Sequence, residues 1–474
     1  MSEIRAAGDF NLATAEIITS TGAKINIRDA NILGINIIEN IRNSSITGEI
    51  MIQDAAGFVN EGPIIGQEYL KLKLQTSSLK NELDIIDFTK NVLHINSVQA
   101  RAESGNNVSV YVLTFTSAEL TKNQRTRVNG SLTGAYSDIV KQMMNRVDCQ
   151  KTIFIEPTRG VKRIVAPNVS PFTVIETILN SASSAISENS SPSYLFFETI
   201  KGYHFRSLAS LYAQPISQSY TKYIAGAQVD KGIINIEKEL GSIIDYEIVN
   251  NSNKLWNYTT GVLGSRLIVH NIYSKSFKEY TYNYFDHFDK EKHITSYHDG
   301  NQNPIFSDVS IEKDGSRGSD FPTRTFLTSI SEGETDTNNT TLDGTEPFIA
   351  PDPQNTIQER ISTTNQLDRG LILNIGTHGN TSINAGDIVK IDIPLTAAIK
   401  TSSNRKNDRF YQGVFIIKAI KHEFDFSINK HSSYLTLVKD SLPEKLEGPD
   451  DQYEPKPEET PLVISEKEIL YPQL

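Results

Sequence analysis

The sequence contains a single cysteine, Cys149, and this scarcity excludes two kinds of stabilising site. A disulfide needs two thiols, so a framework of disulfides within the chain is excluded. The usual zinc sites built on cysteine also need more than one thiolate. A chain of 474 residues must therefore be held together by hydrophobic cores, and its length allows two to four domains.

Long apolar runs are also missing. No stretch approaches the roughly 18 consecutive apolar residues that a membrane-spanning helix requires. The opening residues, MSEIRAAGDFNLATAEIITS, contain acids and no apolar core segment, which is unlike a secretory signal. We therefore expect a protein that is made in a cytoplasm and does not insert into a membrane.

An excess of basic charge is the third absence. The formal net charge is −11, and residues 440–474 carry ten acids and three bases, a net of −7. The remaining body is left with about −4, which is close to neutral for its size. Proteins that bind nucleic acids specifically present a basic surface to the phosphates, so the charge pattern argues against that class.

What the sequence does contain is alternation of apolar and polar residues, as in AKINIRDANILGINIIENI, ITGEIMIQD and NVSVYVLTFTS. A period of two with β-branched and aromatic residues is typical of half-buried antiparallel strands. Residues 23–117 are predicted to form one continuous β-domain of about six strands, closed as a barrel or sandwich. Strands are expected to resume at GIINIEKELGSIIDYEIVNN.

The pattern becomes helical after this first β-domain, so the sequence predicts a mainly β protein with an α+β insert. Ser170 and Pro171 mark the start of a helix, as N-cap and first helical residue. SYLFFETIKGYHFRSL predicts a hairpin that turns at Lys201 and Gly202. An earlier helix is predicted from one apolar face, formed by Tyr136, Ile139, Val140, Met143, Met144 and Val147.

The two β-rich parts repeat one another. GEIMIQD, IGQEYLKLKL and VLHINSVQARAESGNNVSVYVLTFTS occur in the same order as GLILNIG, NAGDIVKIDI and VFIIKAIKHEFDFSINKHSSYLTLVKDS. The matching intervals are Gly48 to Gly66 (18 residues) and Gly370 to Gly386 (16), Gly66 to Val92 (26) and Gly386 to Val414 (28), and Val92 to Tyr111 (19) and Val414 to Tyr434 (20).

Any two antiparallel meanders resemble each other to some degree, because alternation is common in strands. Three consecutive intervals that agree within two residues favour tandem duplication instead. The predicted segments are a first β-barrel at 1–120, an α+β domain at 121–208, the start of a second β-barrel at 209–254, an insertion at 255–369 with an exposed loop at 331–355, the rest of the second barrel at 370–440, and an acidic linker with a docking segment at 441–474.

Residues able to perform catalysis are sparse in the sequence. Ser265 follows Gly264 without the second glycine of a nucleophile motif, and Cys149 closes a predicted helix as a buried or capping residue. Trp256 is predicted to lie in the core and not to serve as a sugar platform. One cluster has the composition of a metal site, but its histidine spacing favours a polar loop or an exposed strand end, and it comprises Asp286, His287, Asp289, His293, His298 and Asp299.

The chain end carries a solitary apolar patch behind a linker rich in proline and acids. Such a patch on an extended, charged tether is typical of a docking peptide, although folding back on its own body is an equal alternative. The predicted docking residues are Leu462, Val463, Ile464, Ile469, Leu470 and Tyr471.

In the order of its segments the chain resembles the central baseplate hub proteins of contractile-tailed (T4-like) bacteriophages. The resemblance covers most of residues 23–441, and it departs at residues 284–355 and at the acidic tail. SGNNVSVYVLTFTSAELTKNQRTRVNGSLTGAYSDIVKQM is similar to that family's passage from the first barrel into the α/β domain, SPFTVIETIL to the following helix, and INAGDIVKIDIPL with YQGVFIIKAIKHEFDFSINKHSSYLTLVKDS to the closing barrel.

The resemblance implies two tandem antiparallel β-barrels per chain, each like a tail-tube subunit, and a homotrimeric ring of six barrels. The implied function is to join a six-fold tail tube to a three-fold spike, with DNA passing through the channel without specific binding. The implied partners are the spike protein, a tail-tube or tube-initiator protein and baseplate wedge proteins, in a virion made in a bacterial cytoplasm. No cofactor, metal or catalytic residue is implied.

Two other functions remain open from the residues alone. One is a tail-associated cell-wall hydrolase whose site would be DHFDKEKH. The other is a receptor-binding or glycan-binding virion protein that would use Trp256 and the tyrosine-rich segment YTYNYFDHF.

Overall fold

The computed structural model describes residues 7–27, 31–61, 64–76, 84–103, 108–186, 191–222, 229–230, 233–234, 236–250, 254–271, 275–307, 316–330, 354–394, 408 and 410–445. Strands predominate in these ranges, and most of the longer helices lie between the two β-rich parts. The predicted fold class, mainly β with an α+β insert, is confirmed.

The strands of the described residues are numbered in chain order. They are β1 (Phe10–Ile18), β2 (Lys24–Asn26), β3 (Asn31–Asn40), β4 (Thr47–Asp54), β5 (Tyr69–Thr76), β6 (Asp84–Asp87), β7 (Leu93–Glu103), β8 (Ser109–Ser117), β9 (Val128–Gly134), β10 (Ile153–Ile155), β11 (Lys162–Val169), β12 (Tyr194–Thr199), β13 (Gly202–Ser207), β14 (Ile216–Lys222), β15 (Val229–Asp230), β16 (Ile233–Ile234), β17 (Ser242–Asn250), β18 (Gly264–Asn271), β19 (Ser276–Asn283), β20 (Asn303–Pro304), β21 (Arg324–Ile330), β22 (Leu371–His378), β23 (Ile388–Asp392), β24 (Gly413–Asp425), β25 (Lys430–Lys439) and β26 (Ser441–Leu442).

The helices are short, and none of those described is long and apolar enough to cross a membrane. They are α1 (Phe58–Glu61), α2 (Ala118–Arg125), α3 (Tyr136–Arg146), α4 (Pro171–Leu179), α5 (Leu208–Tyr212), α6 (Ile236–Leu240), α7 (Lys254–Thr260), α8 (Tyr284–Phe288), α9 (Ile294–His298) and α10 (Arg360–Arg369), with a 3₁₀ turn at Gly318–Asp320 and a π-helical turn at Gln354–Glu359.

The first β-rich part, here called the first unit, has the neighbour order β1-β5-β7-β8-β4-β3. Alternation along β4 shows how its sequence specifies the sheet: Ile50 and Ile52 are fully buried, whereas Glu49 and Met51 point to solvent. The inward side chains of the unit form one hydrophobic core. Strand β1 precedes the strands predicted from residue 23 onward, and its pattern was missed because a β-bulge between Leu12 and Thr14 shifts the alternation by one residue.

The second β-rich part, here called the second unit, is a closed barrel. Its six strands follow one another as β24-β23-β14-β17-β22-β25, and β25 pairs with β24 again. Closure leaves the inner side chains without contact to water, and a second hydrophobic core fills the interior.

The two units share the strand order that the sequence repeat predicts. In the first unit β3, β4, β8, β7 and β5 are successive neighbours, and β17, β22, β25, β24 and β23 are successive neighbours in the second. All of these pairings are antiparallel. The sixth strand differs, since β1 runs antiparallel to β5 whereas β14 runs parallel to β23. The repeat therefore holds for five strands and fails for the sixth.

The units are joined by a ladder between β3 of the first and the second half of β24. It is antiparallel and begins with Gly34 opposite Asp425. Phe424, although it lies on a strand of the second unit, is fully buried in the core of the first. Its ring meets that of Phe10 edge to face, with centroids 5.2 Å apart. One continuous sheet therefore runs through both units.

The α+β insert forms as its sequence predicts. Ser170 caps α4, accepting a hydrogen bond from the Thr173 amide at 3.4 Å, and Pro171 is the first helical residue. β12 and β13 form the predicted hairpin, where Gly202 has a φ of +138° and a Cβ would lie 2.2 Å from the Thr152 carbonyl oxygen. The predicted apolar face of α3 is buried, with Tyr136, Ile139, Val140, Met143, Met144 and Val147.

Two local predictions after the insert are wrong. The strand expected to run through IEKEL is the helix α6, because Glu, Lys and Leu favour helical over extended backbone. The folded body also continues past residue 440, where the linker was expected to begin: Ser441 and Leu442 are buried and form β26, which pairs with β20.

Candidate assembly surface

The continuous sheet exposes one side, which we call the joined face. Residues opposite one another on neighbouring strands point to the same side, so the strand register defines rows across both units. The rows are Val112, Met51, Gly34, Asp425 and Lys430; then Thr114, Glu49, Asn36, Glu423, Ser432 and His378; then Thr47, Ile38, Lys421, Tyr434, Gly376 and Asp245; and finally Asn40, Ala419, Thr436, Asn374 and Glu247.

The joined face is polar with an excess of acid. Its rows hold five carboxylates and two lysines, and seven of the other fifteen residues are threonine, asparagine or serine. Lys421 pairs with Glu423 at 2.6 Å, so one of the two cations is already matched on the face. A phosphate backbone would gain little by approaching such a surface.

A buried glutamate fixes the units and the insert against each other. Glu39 on β3 accepts the backbone amides of Ile200, at the hairpin turn, and of Ala385, before β23, at 2.7 and 2.9 Å. Burial raises the pKa of Glu39 to about 8, although both amide hydrogen bonds act in the opposite direction. The side chain serves as an acceptor at the junction of three parts of the chain.

A second buried network joins the insert to the first unit. The Lys151 ammonium lies 2.7 Å from Glu119 and 2.5 Å from Glu198, and the three side chains are at most 8% exposed. The other oxygen of Glu198 accepts the Ile46 amide, just before β4, at 2.9 Å. These contacts hold the insert in a fixed position beside the first unit.

A cavity of about 1000 Å³ lies between the insert, the α8–α9 segment and the end of β25. Several polar groups at its wall are engaged within the chain. Glu156 accepts the Ser207 amide at 2.7 Å and the Ser184 hydroxyl at 2.5 Å, and Arg206 donates to Gln214 at 2.8 Å.

The histidine and aspartate cluster is dispersed into structural contacts, and the predicted polar loop is wrong for its central member. His293 is buried, with Nδ1 at 2.8 Å from Asp440 and Nε2 at 3.1 Å from the Phe288 carbonyl. Both ring nitrogens are occupied, so the ring has no free position for general-base chemistry. His287 and His298 contact backbone carbonyls instead of approaching His293.

The remaining members of the cluster, Asp286, Asp289 and Asp299, do not join the histidines in a metal site. Within the described part of the chain, no group of three or more His, Cys, Asp and Glu side chains is arranged to hold a metal ion. Sequence reasoning had no signal for the His293–Asp440 contact, since the two residues are 147 positions apart.

Three other residues considered in the sequence, Trp256, Cys149 and Ser265, differ in their burial and contacts. Trp256 is 38% exposed under the Arg369 guanidinium, 3.9 Å from the ring centre, so the core prediction is wrong: α7 turns Asn257 and Thr260 inward instead. Cys149 is half-buried and burial raises the pKa of its thiol to about 11, which keeps it unreactive. Ser265 is buried in β18 beside Gln358, as expected of a turn leading into a strand.

The predicted docking residues lie outside the described part of the chain. These are Leu462, Val463, Ile464, Ile469, Leu470 and Tyr471.

No protein-family model and no curated protein matches the sequence. Among solved structures, a tail protein from Neisseria meningitidis is similar over 91% of this chain and 97% of its own, with a TM-score of 0.46 and 9% identity. The 43 kDa tail protein of prophage MuSo2 from Shewanella oneidensis is similar over 90% and 98%, with a TM-score of 0.47 and 8% identity.

A third similar structure comes from a secretion system. It is a type VI secretion component of E. coli, itself described as structurally similar to the bacteriophage T4 tail proteins gp27 and gp5. The similarity covers 89% of this chain and 76% of that one, with a TM-score of 0.38 and 10% identity. Two of these three similar structures are thus tail proteins, and the third is a secretion-system component.

Proposed function

We propose that this chain is the structural hub of a contractile phage-type baseplate, a ring of three chains between a six-fold tail tube and a three-fold cell-puncturing spike. The observation that carries the proposal is the repeat: two units with the same five-strand order lie side by side in one sheet. Three chains would present six similar sheets around one axis. Such a ring can contact a six-fold partner on one side and a three-fold partner on the other.

The joined face is the proposed wall of the central channel. Its rows carry more acids than bases, and DNA that slides through a channel must not be held by its wall. The opposite side of the same sheet is committed to the two hydrophobic cores, so the joined face is the side free to line an opening.

The proposed partners are further copies of the chain, the spike protein, a tail-tube or tube-initiator protein, and wedge proteins of the baseplate. The proposed location is the virion tail, after synthesis in the bacterial cytoplasm. The alternatives have less support: His293 has no free ring nitrogen, and Arg369 covers one face of Trp256.

The proposal is tested by the mass of the assembled protein. Native mass spectrometry should find a species of three times the 52.8 kDa chain, alone or with the spike protein. Isolated chains can associate weakly, because a partner often completes a ring, so both samples are measured. A stable monomer or dimer at micromolar concentration in both would contradict the proposal.

The chain end is proposed to dock onto a neighbouring hub subunit or an adjoining tail protein. Deleting residues 446–474 should leave the melting temperature unchanged but lower incorporation into tails at least about tenfold, a change of roughly 1.4 kcal/mol. The deletion starts after Lys445 because Leu442 is buried in the folded body.

A full-length variant with serine at the six apolar docking positions is the matched control, since it keeps the length and charge of the tail. It should show the same loss as the deletion. Normal incorporation of both proteins would refute the docking role.

A further inference from the structure

Among the described strands, none pairs with the outer edge of β17 along most of its length. On one side β17 pairs with β22 throughout, but on the other it pairs with β14 only at Ser242 and Ile243. No described strand pairs with the edge from residue 244 to 250. The amide of Tyr246 bonds instead to the side chain of Asp245, at 2.9 Å. Unpaired strand edges are ready-made sites for strand addition.

A second edge of this kind lies on β7. Strand β7 pairs with β5 only at Leu93 and His94, although it runs on to Glu103. Beyond these contacts no described strand pairs with that edge, and residues 99–103 are exposed on both sides of the strand. The end of β7 therefore projects, with β8, beyond the core of the first unit.

The sequence repeat relates these two edges to the joint inside the chain. Strand β17 is the counterpart of β3, and β7 is the counterpart of β24, by the shared strand order. Within the chain, β3 and β24 pair with each other. The two unpaired edges are therefore the counterparts of the two edges that already form the joint between the units.

Two equivalent isoleucines show what the missing strand would cover. Ile37 on β3 is opposite His422 of β24 and is completely buried. Its counterpart on β17 is Ile248, which is 44% exposed at the unpaired edge. Ile244 on the same strand is 48% exposed. An apolar pair at an open edge is what a further strand would remove from water.

We infer that the β17 edge of one chain pairs antiparallel with the β7 edge of a second copy, repeating between chains the ladder that joins the units within one. This inference rests on the proposed ring and names the strands that close it. Ile38 lies opposite Lys421 in the internal ladder. Val249 on β17 is the counterpart of Ile38, and Gln99 on β7 is the counterpart of Lys421. Val249 of one copy is therefore expected opposite Gln99 of the next, and Glu247 beside Ala102 and Arg101.

The test is oxidative cross-linking of the full chain carrying Val249→Cys and Gln99→Cys, with Cys149→Ser as background. Opposite residues on paired strands have Cβ atoms about 4.5–5.5 Å apart, within reach of a disulfide after small adjustment. We expect covalent dimers and trimers, without larger species, on a non-reducing gel. Neither single-cysteine variant should cross-link. Dimers from Val249→Cys alone would mean that two β17 edges pair with each other, which would overturn the inference.

A pair of charge variants tests the same edge without new cysteines. Ile248→Lys should weaken association of the chains at least tenfold, because an ammonium would be buried under the added strand. Val165→Lys is the matched control, since Val165 is a β-branched residue, 73% exposed on β11 of the insert, and belongs neither to the joined face nor to either edge. It should leave association unchanged, and equal effects of the two variants would count against the inference.

The outcomes separate this inference from the proposed function. A native trimer without cross-links between positions 249 and 99 would leave the hub in place and reject this pair of edges. Absence of a trimer together with absence of cross-links would reject both.

Discussion

Replacing Lys151 by methionine is expected to lower the free energy of unfolding by about 3–5 kcal/mol, because it leaves buried charges without an oppositely charged partner. The ammonium is the shared partner of Glu119 and Glu198, which are 4% and 0% exposed. Burial lowers the pKa of Lys151, but the two carboxylates outweigh it and hold the pKa above its ordinary value. Methionine keeps much of the packing volume and removes only the charge, so the two acids would repel in a site without water.

The measurement is chemical denaturation at neutral pH, with two controls. Changing Glu119 and Glu198 to glutamine alongside Lys151→Met should recover more than half of the loss, since the side-chain oxygen of a glutamine in place of Glu198 could still accept the Ile46 amide. Lys141→Met removes the exposed pair with Asp138 and should cost less than about 0.5 kcal/mol. A loss for Lys151→Met as small as that for Lys141→Met would contradict the account.

Acid is expected to destabilise the protein between pH 6.5 and pH 4 through two buried histidines. His422 and His431 lie side by side at 3.2 Å, both without exposure to solvent. Burial lowers the pKa of His422 to about 4, and burial followed by the charge of His422 lowers the pKa of His431 well below its ordinary value. Each group should contribute up to about 1.4 kcal/mol per pH unit over this window.

The sign follows from where the protons bind. Histidines in the unfolded chain take up a proton near pH 6.5. In the folded protein His422 stays neutral until about pH 4, and the pKa of His431 also lies well below its ordinary value. The unfolded state therefore binds more protons in between, so stability present above pH 6.5 is lost as the pH falls. Glu39 has the opposite effect on stability, because its pKa is raised in the folded state. Its contribution to the free energy of unfolding is largest at low pH and is lost as the pH rises towards 8.

The comparison that isolates the pair is the pH dependence of unfolding in His422→Gln. Glutamine keeps a polar contact with His431 but does not titrate, so the slope between pH 6.5 and pH 4.5 should fall by about 1.4 kcal/mol per unit or less. The contribution of Glu39 is the same in both proteins and cancels in the difference. Identical slopes for the wild type and the variant would show that His422 is already charged in the folded protein.

Sequence patterns predicted the parts of the fold that local chemistry specifies. Alternation in β4 and the interval between Gly48 and Gly66 reflect strand geometry, which is written into consecutive residues. Ser170 and Pro171 mark a helix start by their own backbone preferences. The strand order shared by the two units could also be predicted, because similar patterns at similar intervals fold into similar sheets.

What the sequence did not reveal depends on contacts between distant residues. The direction of β14 is set by its fit between β17 and β23, which come later in the chain. His293 looked like a loop residue because its partner Asp440 is 147 positions away. The joined face and the two unpaired edges also needed the register of neighbouring strands, since alternation alone does not say which strand pairs with which.

The most direct test of the central claim is an electron cryomicroscopy map of the assembled ring. The account predicts three chains around one axis, six similar units, and a channel lined by the rows that contain Glu49, Asn36 and Glu423. Joints between units should alternate between β3 with β24 inside a chain and β17 with β7 between chains. A map with these rows on the outer surface, or with two chains related by a two-fold axis, would contradict it.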